Sequence, residues 1–399
     1  MATINTNPQA VDEVLSRAVN EVIDQDSLRS KLLSGKQLRI KLGIDPTGPQ
    51  LHIGRSIPLL KLRDFADLGH QVVLIVGDFT GQIGDTSDKD AERPMLTEEQ
   101  VHKNSAGYME QLGLILDLSK TEVVHNSDWL ASLTFREIAG LADAFSVHEF
   151  TERDVIKRRI DAGKRVNMRE LLYPIMQGYD SIAIKADVEI GGTDQRFNML
   201  AGRILTKQAG MPAQDIVMTE LVSGSDGSKM STSRGNTVLL TAEPNEMFGA
   251  IMSVRDELII PYFTYMTRVP MTDVLAYTKQ LETGTNPRDV KLLLAKALVG
   301  MYHDAAAATA AEEHFVSVFS QGEQPLEMLK VKVKAEPTEL SAILVEIKAA
   351  ASKSAAKRLI EQGAVRIDGA ALTEPDALIT PHDGMVVNVG KRTWRRLII

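Results

Sequence analysis

KLGIDPTGPQLHIGRS, residues 41–56, gathers an aspartate, prolines, three glycines and one histidine into a stretch that is otherwise apolar or small. What flanks it decides the fold. LRIKLGID (38–45) alternates Leu38, Ile40, Leu42 and Ile44 and reads as a strand. IPLLKLRDFADL (57–68) has helical spacing and closes on Gly69, a suitable left-handed cap. QVVLIVGDF (71–79) is a continuous apolar run, suited to a strand buried on both faces. Strand, helix and strand in succession predict a right-handed βαβ unit, the start of a doubly wound parallel sheet. In such a sheet, ligands bind beyond the carboxyl ends of the strands, where the next helix presents unpaired N–H groups. The loop 45–55 falls there, and Thr47 and His52 can add donors to the helix end's partial positive charge. That combination suits a polyphosphate. It matches neither a GxxxxGK[ST] loop nor a GxGxxG fingerprint, which disfavours P-loop kinases and dinucleotide enzymes. Taken alone, the loop reads equally well as a glycine-rich turn with a satisfied surface histidine.

With 399 residues, 44% of them apolar, the chain can bury a sizeable core and is expected to form two or three domains. No apolar run is long enough to span a membrane. MATINTNPQAVDEVL lacks the basic-then-apolar pattern of a secretory signal, and the absence of cysteine fits a cytoplasmic setting without disulfides or thiolate metal sites. The net charge is −8, but residues 340–399 hold 9 Lys/Arg against 6 Asp/Glu. A basic tail on an acidic body points to a polyanionic partner for that tail.

Elsewhere, residues 10–33 read as one or two amphipathic helices, TEVVHN (121–126) as a strand, and 133–145, 151–162 and 168–178 as helices. SGSDGSKMSTSRGN (223–236) is small, polar and glycine-rich, hence a surface loop. The patterns from 243 to about 320 are helical, and Pro337 marks a boundary before an α+β module. The expected division is 1–222 catalytic, 223–240 loop, 241–334 helical and 337–399 C-terminal. Within the predicted helix from 168, Tyr173, Gln177 and Asp180 fall at i, i+4 and i+7 and share one face. Such a face is either solvated or lines a pocket.

KMSTS (229–233) shifts the balance. Lys229 could fold over a triphosphate and neutralise charge as pyrophosphate leaves, although an isolated match would be a solvated linker lysine. HIGR early and KMSTS late, around a βαβ core, resemble the HIGH and KMSKS motifs of class I aminoacyl-tRNA synthetases. YPIMQGYDS (173–181) and VEIGGTDQRFN (188–198) resemble the tyrosyl-tRNA synthetases, and LRIKLGIDPT, VVLIVGDFTGQIGD and IKADVEIGGTDQ resemble their compact bacterial branch. The likeness runs from about residue 36 to 236 and resumes at KSAAKRLIEQGAVRIDG (353–369), which resembles an S4 RNA-binding domain.

The resemblance implies an α/β fold: a Rossmann-like doubly wound catalytic domain, then a helical domain and a small S4-like domain. It implies a cytoplasmic tyrosine–tRNA ligase, acting on L-tyrosine, ATP with Mg²⁺ and tRNA(Tyr) as a homodimer, with no protein-bound metal. Carried over, Asp180 accepts the hydrogen bond of the phenolic hydroxyl. Tyr173, Gln177 and Asp85 hold the ammonium, and Gln195 helps fix the amino acid. Asp45 and Asp194 serve the amino acid and ribose side, while Gly43, Gly54 and Gly192 let the backbone approach adenosine. Thr47, His52, Arg55 and Lys229 act on the phosphates, with Lys89, Arg93, Met230 and Arg234 completing the ATP set. Lys353, Lys357, Arg358 and Arg366, with Lys391, Arg392, Arg395, Arg396 and a stacking Trp394, meet tRNA phosphates and bases. Arg153, Lys157, Arg158 and Arg159 approach the acceptor arm. A buried acceptor for a substrate hydroxyl rejects the analogue lacking it, as the tyrosyl enzymes are known to do with phenylalanine.

Two positions depart from the motifs: Arg55 replaces the last histidine of HIGH, and Thr232 the second lysine of KMSKS. Arg55 and Arg234 are expected to compensate in part. A third departure is Lys41, where many relatives carry a tyrosine. The rival readings are a tryptophanyl-tRNA synthetase, a synthetase-like paralogue that binds RNA without charging it, and a small-molecule adenylyltransferase.

Overall fold

The computed structural model describes residues 3–86, 92, 94–228, 230, 235–320, 328–390 and 393–399. Lys89, Arg93, Lys229, Thr232, Arg234, Lys391 and Arg392 lie outside the described residues. The chain divides into two compact units, Met1–Glu312 and Glu313–Ile399.

The first unit is built on strands β1 (Val19–Ile23), β2 (Arg39–Ile44), β3 (Gln71–Val76), β4 (Glu122–His125), β5 (Val188–Gly192) and β6 (Asp215–Thr219). Their order across the sheet is β1-β6-β5-β2-β3-β4. All neighbours are parallel except β1, which pairs antiparallel with β6. From β2 the chain winds outward through β3 to β4, then returns to the other side of β2 for β5 and β6. The switch point therefore lies between β2 and β5, where doubly wound sheets open a crevice at the strands' carboxyl ends.

β1 corrects the helical expectation for residues 10–33. Helices α1 (Pro8–Ser16) and α2 (Gln25–Leu33) flank it instead. Ala18 (φ 54°) and Asp24 (φ 64°) sit in the left-handed region on either side of the strand, and neither conformation continues a right-handed helix. Val19, Val22 and Ile23 are β-branched and suit the pleat between those breaks. Helix α3 (Ser56–Asp67) follows the 45–55 loop, and Gly69 (φ 94°) ends its last turn.

The helix Met168–Ala183 packs against Arg196–Gln208 through facing glycines. A Cβ at Gly178 would stand 3.1 Å from the Gly202 nitrogen and 2.8 Å from Leu205, so side chains here would force the helices apart. The helices Pro244–Met252, Ile259–Met266, Met271–Glu282 and Pro287–Tyr302 belong to this same compact unit. Arg17 ties them to the N-terminus by donating to the carbonyls of Thr264 (3.0 Å) and Thr267 (2.7 Å).

In the second unit, β7 (Leu329–Lys332), β8 (Thr338–Glu339), β9 (Val365–Ile367), β10 (Ala370–Leu372), β11 (Leu378–Ile379), β12 (Val386–Val389) and β13 (Thr393–Ile398) form two sheets, β10-β9-β12-β13-β7 and β11-β8. Leu340, Ile343 and Leu344 of one helix and Ile360 of another close a core over Val365, Val387 and Leu397. β7 precedes Pro337 yet pairs in register with β13, so this unit begins earlier than the proline suggests. Among the described residues, no helix is long and apolar enough to cross a membrane.

Candidate active site

A cavity of about 890 Å³ opens at the carboxyl ends of β2 and β5. Its lining includes Gly43, Asp45, Thr47, His52, Gly54 and Arg55 from β2 and the loop after it, and Asp85 from beyond β3. Tyr173, Gln177 and Asp180 enter from the helix Met168–Ala183, Gly192, Asp194 and Gln195 from the end of β5, and Met230 from the KMSTS segment. The shared helix face thus lines a pocket rather than meeting bulk water.

Asp180 is 3% exposed. Its Oδ1 accepts from Trp129 Nε1 at 2.8 Å and its Oδ2 from Asn126 Nδ2 at 3.4 Å. Burial pushes this carboxyl up to about 7, against the downward pull of the Lys41 charge and of the two donors. Asn126 Nδ2 also donates to Thr80 Oγ1 (2.9 Å), Thr80 to Asp45 Oδ1 (2.8 Å), and the Tyr173 hydroxyl to Asp45 Oδ2 (2.7 Å). A continuous polar chain thus runs from Tyr173 to Asp180. Burial, with Asp45 and Asp85 nearby, holds the Tyr173 hydroxyl well above its ordinary value, so it stays a neutral donor. Gly77 closes this chain: a Cβ there would fall 2.0 Å from Asp45 Oδ1.

A second network holds the site's amides. Gln195 Nε2 donates to Asp85 Oδ2 (2.7 Å), and Asn198 Nδ2 donates to both Gln195 Oε1 (3.0 Å) and Gln177 Oε1 (3.1 Å). Gln177 Nε2 in turn donates to Glu189 Oε1 (3.1 Å). The amides are committed donor-to-acceptor, so their orientations are set before any ligand arrives.

The 45–55 loop is held from two sides. Asn104 donates to the Pro46 carbonyl (3.0 Å), while Gln111 donates to that of Pro49 (3.0 Å) and accepts from Leu51 N–H (2.7 Å). On the other side, Ile53 N–H donates to Val238 O (2.9 Å) and Leu240 N–H to Leu51 O (3.0 Å). The HIGR turn is therefore paired directly with the chain that leaves the KMSTS loop. Within it, His52 is held down to about 4, first by burial and then by the charge of Arg55. It is a neutral imidazole at physiological pH. Its Nδ1 is buried and has no hydrogen-bond partner among the described residues. At Gly54 a Cβ would meet the Met230 sulfur at 2.7 Å, so a side chain here would collide with the KMSTS methionine where both residues line the cavity. Among the described residues, no atom lies within 4 Å of where a Cβ would stand at Gly43, an exposed glycine in a central strand.

Sequence reasoning missed Thr80, Asn126 and Trp129. The signal that finds the first two is position: each lies just past the carboxyl end of a parallel strand, β3 or β4. Arg159 is corrected. It is 1% exposed and ion-paired to the buried Glu170, which also accepts from Thr86 (2.7 Å), so it cannot reach an acceptor arm. Arg153 lies over the Phe197 ring, 4.6 Å from its centre, and Lys157 pairs with Glu152 at 2.6 Å. In the C-terminal unit, Lys353 and Lys357 are solvent-facing but engage Glu339 (3.3 Å) and Asp376 (2.7 Å), pairs weak enough for a polyanion to displace. Arg358 and Arg366 are exposed on the Lys353–Glu361 helix and on β9. Trp394 is half-buried, and Arg395 donates to the Ile347 carbonyl (3.3 Å).

Comparison with known proteins agrees with this architecture. The family model for tRNA synthetases class I (W and Y) matches residues 33–320, and that for the tyrosine–tRNA ligase SYY-like C-terminal domain matches 319–394. The tyrosine–tRNA ligase of Moorella thermoacetica is 43% identical over 390 residues, covering 96% of this chain and 94% of its own. That of Thermotoga maritima is 42% identical over 392 residues, covering 98% of both. Among solved structures, a C-terminally truncated mitochondrial tyrosyl-tRNA synthetase from Aspergillus nidulans shares the fold at TM-score 0.66 and 20% identity, over 78% of this chain and 94% of that one. Tyrosyl-tRNA synthetase from Archaeoglobus fulgidus, complexed with L-tyrosine, does so at 0.62 and 20%, over 76% and 99%. The chain therefore belongs to the tyrosine–tRNA ligases, a family of class I aminoacyl-tRNA synthetases.

Proposed function

We propose that this enzyme activates L-tyrosine with ATP and transfers it to tRNA(Tyr), using the cavity at the β2/β5 switch point. One observation carries the reading. A single cavity joins a buried carboxylate, Asp180, to the glycine-containing turn that bears His52. The tyrosine ring enters toward Asp180, which accepts its hydroxyl hydrogen. Tyr173, Gln177 and Asp85 lie where an ammonium needs acceptors, with Gln195 ordering Asp85. ATP, as its Mg²⁺ complex, lies along Gly43, Gly192 and Asp194 with its phosphates toward Thr47, His52 and Arg55. The tyrosine carboxylate oxygen forms a bond to the α-phosphorus while the bond to pyrophosphate breaks, giving tyrosyl-adenylate. The carboxylate is already ionised, so no protein base is needed, and the protein contributes position and charge stabilisation. A terminal ribose hydroxyl of tRNA then attacks the activated carbonyl and AMP leaves. The basic C-terminal residues Lys353, Lys357, Arg358 and Arg366 supply the sequence-independent part of tRNA binding.

ATP–pyrophosphate exchange across the twenty amino acids tests the reading. Exchange with tyrosine is expected. Exchange with tryptophan instead, or tRNA binding with no exchange at all, would support a rival.

We also propose a homodimer. Phe135 (90% exposed), Met168 (71%) and Val147 (70%) each present a large apolar side chain to solvent from the first position of a helix, Phe135–Ala142, Met168–Ala183 and Val147–Thr151. A second copy is the expected cover. In sedimentation at micromolar concentration, the wild-type chain should run as a dimer and Phe135→Asp as a monomer. A monomeric wild type contradicts the proposal.

A further inference from the structure

Lys41 has no role in the reading so far, and it is absent from the cavity lining. It nonetheless lies on the sheet face that carries Gly43, two residues further along the strand, since side chains of a strand alternate. It is 0% exposed, and its cross-strand neighbour in the β2/β5 register is Glu189, at 1%. All three ammonium donors are committed: to the Gln177 carbonyl at 2.7 Å, to Ser181 Oγ at 2.8 Å and to Glu189 Oε1 at 2.9 Å.

Gln177 and Ser181 bracket Asp180 on one turn of the helix Met168–Ala183. Resting on the assignment of Asp180 to the substrate hydroxyl, we propose that Lys41 is the positioning residue of tyrosine selectivity: it locks the 177–181 turn onto β2 and β5. The Asp180 carboxylate and the Gln177 amide are thereby held at fixed depth in the slot. Glu189 completes the clamp because the same Oε1 also accepts from Gln177 Nε2, at 3.1 Å.

Stability alone does not account for this pair. A buried ion pair is commonly no better for stability than apolar side chains of similar volume, whereas it does fix geometry through directional donors. The ammonium replaces a slidable apolar contact between helix and sheet with three bonds that permit one register.

Lys41→Met/Glu189→Gln tests the proposal without leaving a lone buried charge. Kinetics of ATP–pyrophosphate exchange are measured with tyrosine and with phenylalanine, alongside the melting temperature. In the folded double variant, KM for tyrosine should rise, and the tyrosine-to-phenylalanine ratio of kcat/KM should fall by about tenfold or more, with KM for ATP unchanged. An unchanged ratio and an unchanged tyrosine KM overturn the proposal. Should the double variant not fold, Ser181→Ala removes one of the three contacts and should lower the same ratio to a smaller extent; an unchanged ratio there also overturns it. Asp180→Asn runs in parallel. If that variant too leaves the ratio intact, the assignment of Asp180 itself fails; if it collapses the ratio while the Lys41 and Ser181 variants do not, only the role of Lys41 is lost.

Discussion

His52→Ala should lower the rate of tyrosine activation by roughly 10²–10³-fold while leaving the KM for tyrosine nearly unchanged. A contact that strengthens only as the α-phosphate becomes pentacoordinate acts on kcat and not on ground-state affinity. His52 suits such a contact. Its backbone is pinned by pairing with residues 238–240, its ring faces the cavity wall, and burial keeps it uncharged. Because the imidazole is held down to about 4, the wild-type rate should show no histidine titration between pH 6 and 8. Single-turnover measurement of adenylate formation checks both points. A raised KM with an intact rate contradicts the assignment.

Asp180→Asn is expected to cost tyrosine on the order of a hundredfold in kcat/KM while phenylalanine changes little, because a charge-assisted hydrogen bond is lost only where the substrate carries the hydroxyl. The pH dependence carries a sign. The carboxyl is raised from its ordinary 3.8 to about 7 by burial. A phenolic donor needs the ionised form, so KM for tyrosine should rise as pH falls below about 7 in the wild type and stay flat in the variant. Stability runs the other way. Between about 4 and 7 the folded state binds a proton the unfolded chain has lost, so this group's contribution falls as pH rises through that window. Melting curves at pH 5 and pH 8 should show the Asn variant gaining on the wild type at the higher pH. Equal pH responses in the two proteins would remove Asp180 from the role.

Local pattern made some elements readable and not others. The alternation of Leu38 to Ile44, the apolar run from Val72 and the Gly69 stop together dictate β2, α3 and β3, because each is set by a contiguous stretch. The i, i+4, i+7 spacing likewise brought Tyr173, Gln177 and Asp180 to one wall. β1 escaped because its hydrophobic residues also fit helical intervals, and two left-handed residues that are not glycine decide between the readings. The contribution of Trp129 to the Asp180 environment depends on β4 lying beside β3, a tertiary fact. Arg159 looked like a solvated cation because its partner, Glu170, comes from the next helix and buries with it.

The most direct test is the structure of the protein bound to a non-hydrolysable tyrosyl-adenylate analogue. The phenolic oxygen should lie about 2.7 Å from an Asp180 carboxylate oxygen, with the phosphoryl group of the same molecule facing the His52 imidazole. An analogue whose ring points away from that carboxylate, or whose phosphoryl group sits remote from residues 47–55, contradicts the account.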